Sequence, residues 1–231
     1  MAKKAIVIYG PPGAGKGTQA NLLAWTKNFI HFDTGKYLEQ VVHDPENQKD
    51  PAIAAETKLF DTGALLTPSF VLKVTTDKTR EVAKAGYSIA FSGSPRTLFE
   101  AFGDEKNTGL VSVLEKEYGK DSVHFVFLEI EPEASIARNK VRQICVVCGT
   151  GLSPFMYKDI EKHSSCPICG AGLRKRTLDN PAVFKTRIKE YEERTKPIMA
   201  ELKKRGYKVT EVDGRPLPFE VFADIKKRLS L

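Results

Sequence analysis

Nine consecutive residues, Gly10-Pro11-Pro12-Gly13-Ala14-Gly15-Lys16-Gly17-Thr18, carry the spacing G-x-x-x-x-G-K of the pattern G-x-x-x-x-G-K-[ST], with its hydroxyl residue, Thr18, one position later, after Gly17. The chemistry of that spacing is phosphate capture. Glycines let the backbone curl until several N–H groups point at one phosphate, and the N-terminus of the following helix adds partial positive charge. Lys16 would neutralise phosphate charge and the Thr18 hydroxyl would coordinate Mg²⁺. A chance match in a glycine-rich turn is the competing explanation. It is opposed by context, because a strand-like run precedes the loop and the helical pattern "GKGTQANLLAWTKNF" follows it.

A second group of residues is suited to a metal. Cys145-x-x-Cys148 and Cys166-x-x-Cys169 are separated by seventeen residues, so two tight turns can each offer two thiolates to one tetrahedral ion. Gly149 and Gly170 follow the second cysteine of each pair, which suits turns that bend their N–H groups towards sulfur. Four thiolates leave no open coordination position, so the expected Zn²⁺ is structural. His163, three residues before Cys166, is not needed as a ligand. His31, His43 and His124 have no carboxylate or cysteine partner evident in the sequence.

These groups must be positioned by regular elements. Apolar, β-branched runs occur at "KAIVIYG", "FIHFDT", "YSIAFSG", "VHFVFLEI" and "YKVTEVDG", with helical patterns between them. Strands alternating with helices predict an α/β fold, a parallel sheet covered on both faces, with ligands beyond the carboxyl ends of its strands. About fifty residues lie between the second and third runs, more than a crossover needs. Pro45 and Pro51 bracket a loop there, and a later insertion holds all four cysteines. The segment "LDNPAVFKTRIKEYEERTKPIMAELKKRG" reads as one long helix, capped by Asp179 or Asn180, with Pro181 in its first turn and Pro197 as a kink or break. Trp25, on the helix after the loop, is expected in the core.

The 231 residues are 41 % hydrophobic and 28 % charged, ordinary for a globular protein, and contain no apolar run of membrane-helix length. The opening "MAKKAIVIYG" has no cleavage-site pattern, and a cytoplasmic protein is expected. The net charge of +7 suits either a polyphosphate or a nucleic acid.

Phosphate loop, insertion, "GSPRT" at 93–97, cysteine pairs and Val212-Asp213-Gly214 together resemble the adenylate kinase family, in its form with a zinc-bearing lid. The loop matches the family's GxPGxGKGTQ from Gly10 to Gln19. The resemblance covers nearly the whole chain. It implies a P-loop NTPase-type core over 1–231 with a five-stranded parallel sheet, a monophosphate-binding insertion at 34–76 and a zinc lid at 139–177. It also implies transfer of the γ-phosphoryl of ATP, with Mg²⁺, to a nucleoside monophosphate, by a monomer without a nucleic-acid or membrane partner.

Site residues follow from the same resemblance. For ATP they are Gly13, Ala14, Gly15, Lys16, Gly17 and Thr18, with Arg138, Arg142 and Pro216. For the monophosphate they are Thr34, Gly35, Lys36, Leu66, Gly93, Arg96 and Glu100. Transfer itself would fall to Lys16, Arg96, Arg142, Arg176 and Arg187, whose planar guanidinium groups suit the charge on a moving phosphoryl group.

The chain departs from the family around the acceptor and the metal. Where the family has S-T-G-D-x-L-R, this chain has Asp33-Thr34-Gly35-Lys36-Tyr37-Leu38-Glu39. The strand-end aspartate that orders Mg²⁺-bound water is Ser92, the glutamine that reads the acceptor base is Glu100, and one of two lid aspartates is Leu178. Asp33 and Ser92 exchange the family's serine and aspartate on strands expected to be neighbours, so the carboxylate could serve Mg²⁺ from about 5 Å away. Lys36 could likewise supply the phosphate contact that Glu39 cannot. Independent drift is the competing reading. An ionised glutamate accepts hydrogen bonds without donating, so Glu100 fits a guanine edge, while the resemblance ranks AMP first. Two rivals remain: a nucleotide-binding relative without transfer activity, and a nucleic-acid module using the cysteine segment with Phe155 and Tyr157.

Overall fold

A computed structural model describes residues 3–154, 157, 159–175 and 180–231. The five apolar runs form β1 (Ala5–Tyr9), β2 (Phe29–Phe32), β3 (Ser88–Ser92), β4 (Val123–Glu129) and β8 (Val209–Asp213). They pair in parallel in the order β2-β3-β1-β4-β8. β1 is central and buried along its length, which is why its sequence is a continuous apolar run rather than an alternation.

Alternate residues of each strand serve opposite layers. Ile6, Ile8, Val126 and Leu128 pack against α1 (Lys16–Lys27) and α10 (Pro218–Leu229). Val7, Tyr9, Phe91, Phe125 and Phe127 pack against a second layer. That layer contains α4 (Pro68–Lys84), α5 (Leu98–Phe102), α6 (Leu110–Tyr118) and α9 (Pro197–Lys204). Trp25 is not in the core: it is 65 % exposed. Ala20 and Leu23 of α1 are the residues facing the sheet, and a position two residues on from Leu23 is turned by about 200°.

Between β2 and β3, α2 (Thr34–His43), α3 (Pro51–Thr62) and the start of α4 enclose a separate small core of Leu38, Val42, Phe60, Leu66 and Val71. α4 runs unbroken past position 76 into the main layer, where Leu72 and Ala83 join the central cluster. After β4 and α7 (Pro132–Lys140), the antiparallel strands β5 (Gln143–Cys145), β6 (Gly151–Leu152) and β7 (Leu173–Lys175) make a second sheet in the order β6-β5-β7.

The long helix expected after the cysteines is divided. α8 (Pro181–Glu190) passes into a π-helical turn, Tyr191–Thr195, before α9 begins at Pro197. Proline donates no N–H, and the register widens just ahead of it, with Lys196 N–H reaching back to Tyr191 O at 2.8 Å. The capping candidate Asp179 lies outside the described residues. No helix of the described residues is long and apolar enough to cross a membrane.

Candidate active site

The loop Gly10–Gly15 joins β1 to α1 at the carboxyl end of the central strand. At Gly13, φ is +86° and a Cβ would stand 2.2 Å from Asn139 Nδ2, so only glycine lets α7 press this closely on the loop. α7 also fastens the loop directly, the Ser135 hydroxyl donating to Pro12 O, while within α7 Asn139 Nδ2 donates to Ser135 O at 2.8 Å. Lys16 Nζ donates to Gly10 O at 2.7 Å and Pro11 O at 2.8 Å, which holds its ammonium over the loop. Ala14 is buried, and Gly17 and Thr18 lie in the first turn of α1.

Two adjoining clefts lie near this loop, each of about 520 Å³ when its open mouth is counted. The first is walled by Tyr9, Gly10, Pro12 and Lys16 on one side and by Ser94, Pro95 and Arg96 on another, and α8 contributes Arg187 and Glu190. The second shares Gly93, Arg96 and Arg187, then continues between Leu38, Phe60, Leu66 and Val71, with Gly35 and Glu100 also lining it. The fold thus brings Lys16, Arg96 and Arg187 to one place and attaches an apolar chamber to it.

Arg96 is fixed through its backbone as well as its side chain. Its N–H donates to Glu100 Oε2 at 2.8 Å, its carbonyl accepts from the Thr195 hydroxyl at 2.9 Å, and its Nε donates to Gly93 O at 2.5 Å. Burial lowers the Arg96 pKa, opposed by the charges of Glu100, Asp33 and Glu190. The hydroxyls of Tyr9, Ser94 and Thr34 are buried without a hydrogen-bond partner among the described residues, a costly state for a polar group unless a ligand meets it. Sequence reasoning missed Tyr9, Ser94 and Thr195. A tyrosine closing the strand before a phosphate loop was the one available signal.

Other expected residues lie around this centre. Thr34 and Gly35 are buried at the start of α2. Arg138 donates to Gly214 O at 2.8 Å and Arg215 O at 2.7 Å, next to Pro216. Arg142 stands beside Gly151, whose Cβ would be 3.6 Å from Arg142 Cδ, and neither Arg138 nor Arg142 lines the two clefts. Arg176 lies outside the described residues, as do Leu178 and Phe155.

At one end of the smaller sheet, on Cys145 of β5 and in the adjoining turns, the four Sγ atoms of Cys145, Cys148, Cys166 and Cys169 lie within 4.8 Å of one another. Cys145–Cys169 is 3.4 Å and Cys148–Cys166 is 3.8 Å, against roughly 3.8 Å for two thiolates on a tetrahedral ion at 2.3 Å. The donor set fits a closed tetrahedral site. Cys148 N–H does point at Cys145 Sγ, at 3.4 Å. Other N–H groups of the two turns also bend towards sulfur as expected, Val147 to Cys145, Thr150 to Cys148 and Ala171 to Cys169, while Gly149 N–H donates to Cys145 O and Gly170 N–H to Cys166 O. Their φ values of +70° and +76° let each turn close on its own first carbonyl. His163 is exposed and outside the cluster.

Residues 8–207 match the profile of the adenylate kinase family. The chain belongs to that family. It is similar to an adenylate kinase of Chlamydia pneumoniae, 31 % identical over 230 residues with 98 % of each chain covered. A second relative, an adenylate kinase of Caldanaerobacter subterraneus subsp. tengcongensis, is 32 % identical over 229 residues, covering 97 % of this chain and 95 % of the relative.

Against this family, the departures acquire local explanations. β2 and β3 are neighbours, pairing Phe32 with Phe91. Asp33 caps α2, its Oδ1 accepting Lys36 N–H at 3.1 Å; aspartate and serine serve that position equally well. Ser92 is not an isolated loss of charge. Its Oγ is 2.6 Å from His31 Nε2, and His31 Nδ1 is 2.7 Å from Asn21 Oδ1. With Asn21 accepting from Nδ1–H, Nε2 accepts the Ser92 proton. Burial lowers the His31 pKa, with Asp33 opposing and Lys36 adding to the effect, so the chain is a neutral one. His43 also has a partner, Asp61, at 3.0 Å across α2 and α3.

Glu39 faces the smaller sheet and forms an ion pair with Arg174 of β7 at 3.7 Å. Lys36, exposed on α2, packs its ammonium against Gly149, where a Cβ would stand 2.9 Å from Nζ. The inverted charges of α2 are therefore used towards the cysteine-bearing sheet.

Proposed function

We propose that the protein is an ATP-dependent nucleoside monophosphate kinase, with AMP as its first acceptor, acting by direct in-line transfer. The observation that carries this reading is the meeting of Lys16, Arg96 and Arg187 in one cleft, between a phosphate loop and an apolar chamber of nucleobase character. In this reading the loop N–H groups and Lys16 hold the donor phosphates, with Arg138, Arg142 and Pro216 on the nucleoside side of ATP. Arg96 holds the acceptor phosphate, supported by Thr34, Gly35 and Lys36, and its base enters between Leu66 and Glu100. Arg187 reaches both phosphates, and Arg142 and Arg176 complete the charge from the lid side.

The enzyme's own groups then align the acceptor oxygen and exclude water, with no covalent intermediate. The segment 139–177 acts as a lid, 34–76 as the acceptor-binding arm, and the protein works as a cytoplasmic monomer without nucleic acid. The packing of Tyr157 against the cysteine cluster opposes the nucleic-acid reading, which needs it as a free stacking face.

Zn²⁺ suits the four-thiolate set as a structural ion. A thiol-directed mercurial is expected to release about one colourless Zn²⁺ per chain to a chromogenic chelator, and to lower the melting temperature. Release of iron, or of no metal, would contradict this assignment.

Thr18 would hold Mg²⁺ directly and Asp33 through water, and the ion supplies charge neutralisation when bound with ATP. Asn caps helices as well as Asp does, so Asp33→Asn should leave α2 intact. It is expected to weaken Mg²⁺ binding, raising the Mg²⁺ needed for half-maximal ATP binding by about tenfold. Ser92→Ala, which breaks only the neutral chain, should move it less. The opposite ranking would place the metal contact at Ser92. The primary test is turnover of ATP with AMP, GMP, CMP and UMP; ATP binding without transfer to any of them would favour a relative that has lost activity.

A further inference from the structure

The acceptor chamber contains one ionisable group whose state decides what it can bind. Glu100 is 2 % exposed, in the first turn of α5. Its Oε2 accepts the Arg96 N–H at 2.8 Å, and its Oε1 lies 3.1 Å from the Thr97 hydroxyl, which in turn accepts the Glu100 N–H. The turn therefore engages each oxygen once, while a carboxylate has about four acceptor positions. Glu100 lines the chamber, so the remaining capacity is what a base bound there would meet. The walls from α2, α3 and α4 are Leu38, Phe60 and Val71, which offer a base no polar contact.

A carboxylate presents acceptors alone. A carboxylic acid presents a donor beside an acceptor, the same pair as a primary amide. The adenine edge, an amino donor beside a ring-nitrogen acceptor, requires that mixed pair. A 6-oxopurine such as guanine presents ring N–H and amino donors, and requires two acceptors.

We propose that Glu100 selects the acceptor base by its own state: as the neutral acid it pairs with adenine, and as the carboxylate it pairs with a guanine-type 6-oxopurine. The inference rests on the kinase reading above. The groups facing Glu100 are Arg96 on its own turn, Arg194 on the π-helical turn, and the Tyr9 hydroxyl from β1. Burial dominates them and pushes the Glu100 pKa up to about 7, against the Arg96 N–H and charge, the Thr97 hydroxyl and Arg194. The sign is then fixed. Because the pKa is raised, the acid persists up to neutrality, and raising the pH through that value ionises it. Adenine acceptance falls with rising pH and 6-oxopurine acceptance grows.

The experiment measures kcat/KM for AMP and for GMP between pH 6 and pH 8, in the wild type and in Glu100→Gln. A single group titrating near pH 7 changes from about nine-tenths to about one-tenth protonated over that range. The AMP/GMP ratio of the wild type should therefore fall at least tenfold, and that of Glu100→Gln should stay flat. Titration of the substrate phosphate, with a pKa near 6, affects both proteins alike and cancels in the comparison. Calorimetry of AMP binding at pH 8 in two buffers of different ionisation enthalpy supplies a readout independent of turnover: proton uptake in the wild type and none in Glu100→Gln. A pH-independent AMP/GMP ratio, or AMP binding at pH 8 without proton uptake, would overturn the proposal. If no acceptor is phosphorylated, the kinase reading fails, and calorimetry still decides the role of Glu100.

Discussion

Lys16→Met is expected to lower kcat for phosphoryl transfer by about three orders of magnitude, with the protein still folded. Lys16 Nζ is held over the loop by Gly10 O and Pro11 O, at the mouth of the cleft that Arg96 and Arg187 also line. A transferring phosphoryl group spreads negative charge over its oxygens. One preorganised cation there stabilises it by about 4 kcal/mol, equivalent to roughly a thousandfold in rate. Methionine keeps the length of the side chain and removes the charge. Lys16 stands at a partly exposed position, so losing its bonds to Gly10 O and Pro11 O should change the melting temperature little. Rapid-quench kinetics with a thermal melt checks this, and a residual rate within tenfold of wild type would remove Lys16 from the chemistry.

Arg187→Ala is expected to lower kcat by on the order of a thousandfold while changing the affinity for either nucleotide far less. The reason is its position. Arg187 lines both clefts, and its stem packs against the turn after α3, where a Cβ on Gly63 would stand 3.3 Å from Arg187 Cγ. A guanidinium between two phosphates does most when the phosphoryl group is between them, so the loss falls on the transition state rather than on binding. Arg187→Lys should rescue poorly, since an ammonium lacks the planar fork. Equal damage to KM and kcat would instead make Arg187 a ground-state ligand.

Much of this arrangement was legible in the chain because its signals are local. The phosphate loop, the two cysteine pairs and the five apolar runs each declare themselves within a dozen residues. What escaped was non-local. The partnership of Asn21, His31 and Ser92 joins α1, β2 and β3, and no pattern in sequence sets three such polar residues together. The hold of Thr195 on the Arg96 carbonyl spans 99 positions. Trp25 was misplaced because hydrophobicity alone assigned it to the core, whereas helical phase turns it to solvent. The break between α8 and α9 was foreseen at Pro197, but not the wider turn ahead of it, which depends on how the displaced carbonyls find donors. The exchange at 33 and 92 was read as a relocated metal contact, and the cap that Asp33 provides for α2 was missed, because a helix cap and a metal contact draw on the same side chains.

The Glu39–Arg174 pair and the seating of Lys36 against Gly149 tie α2, which borders the acceptor chamber, to the sheet that carries the cysteines. Each of these two bodies moves for a different nucleotide in the proposed reaction, so the contact between them is a thermodynamic linkage. Whatever free energy it contributes when both are drawn in appears as synergy: ATP tightens the acceptor, and the acceptor tightens ATP, by one common factor. The pair is partly exposed, so that factor is small, and it shrinks as salt is added. In the proposed reaction, the charges of Lys36 and Glu39 would thereby let two binding events sense each other.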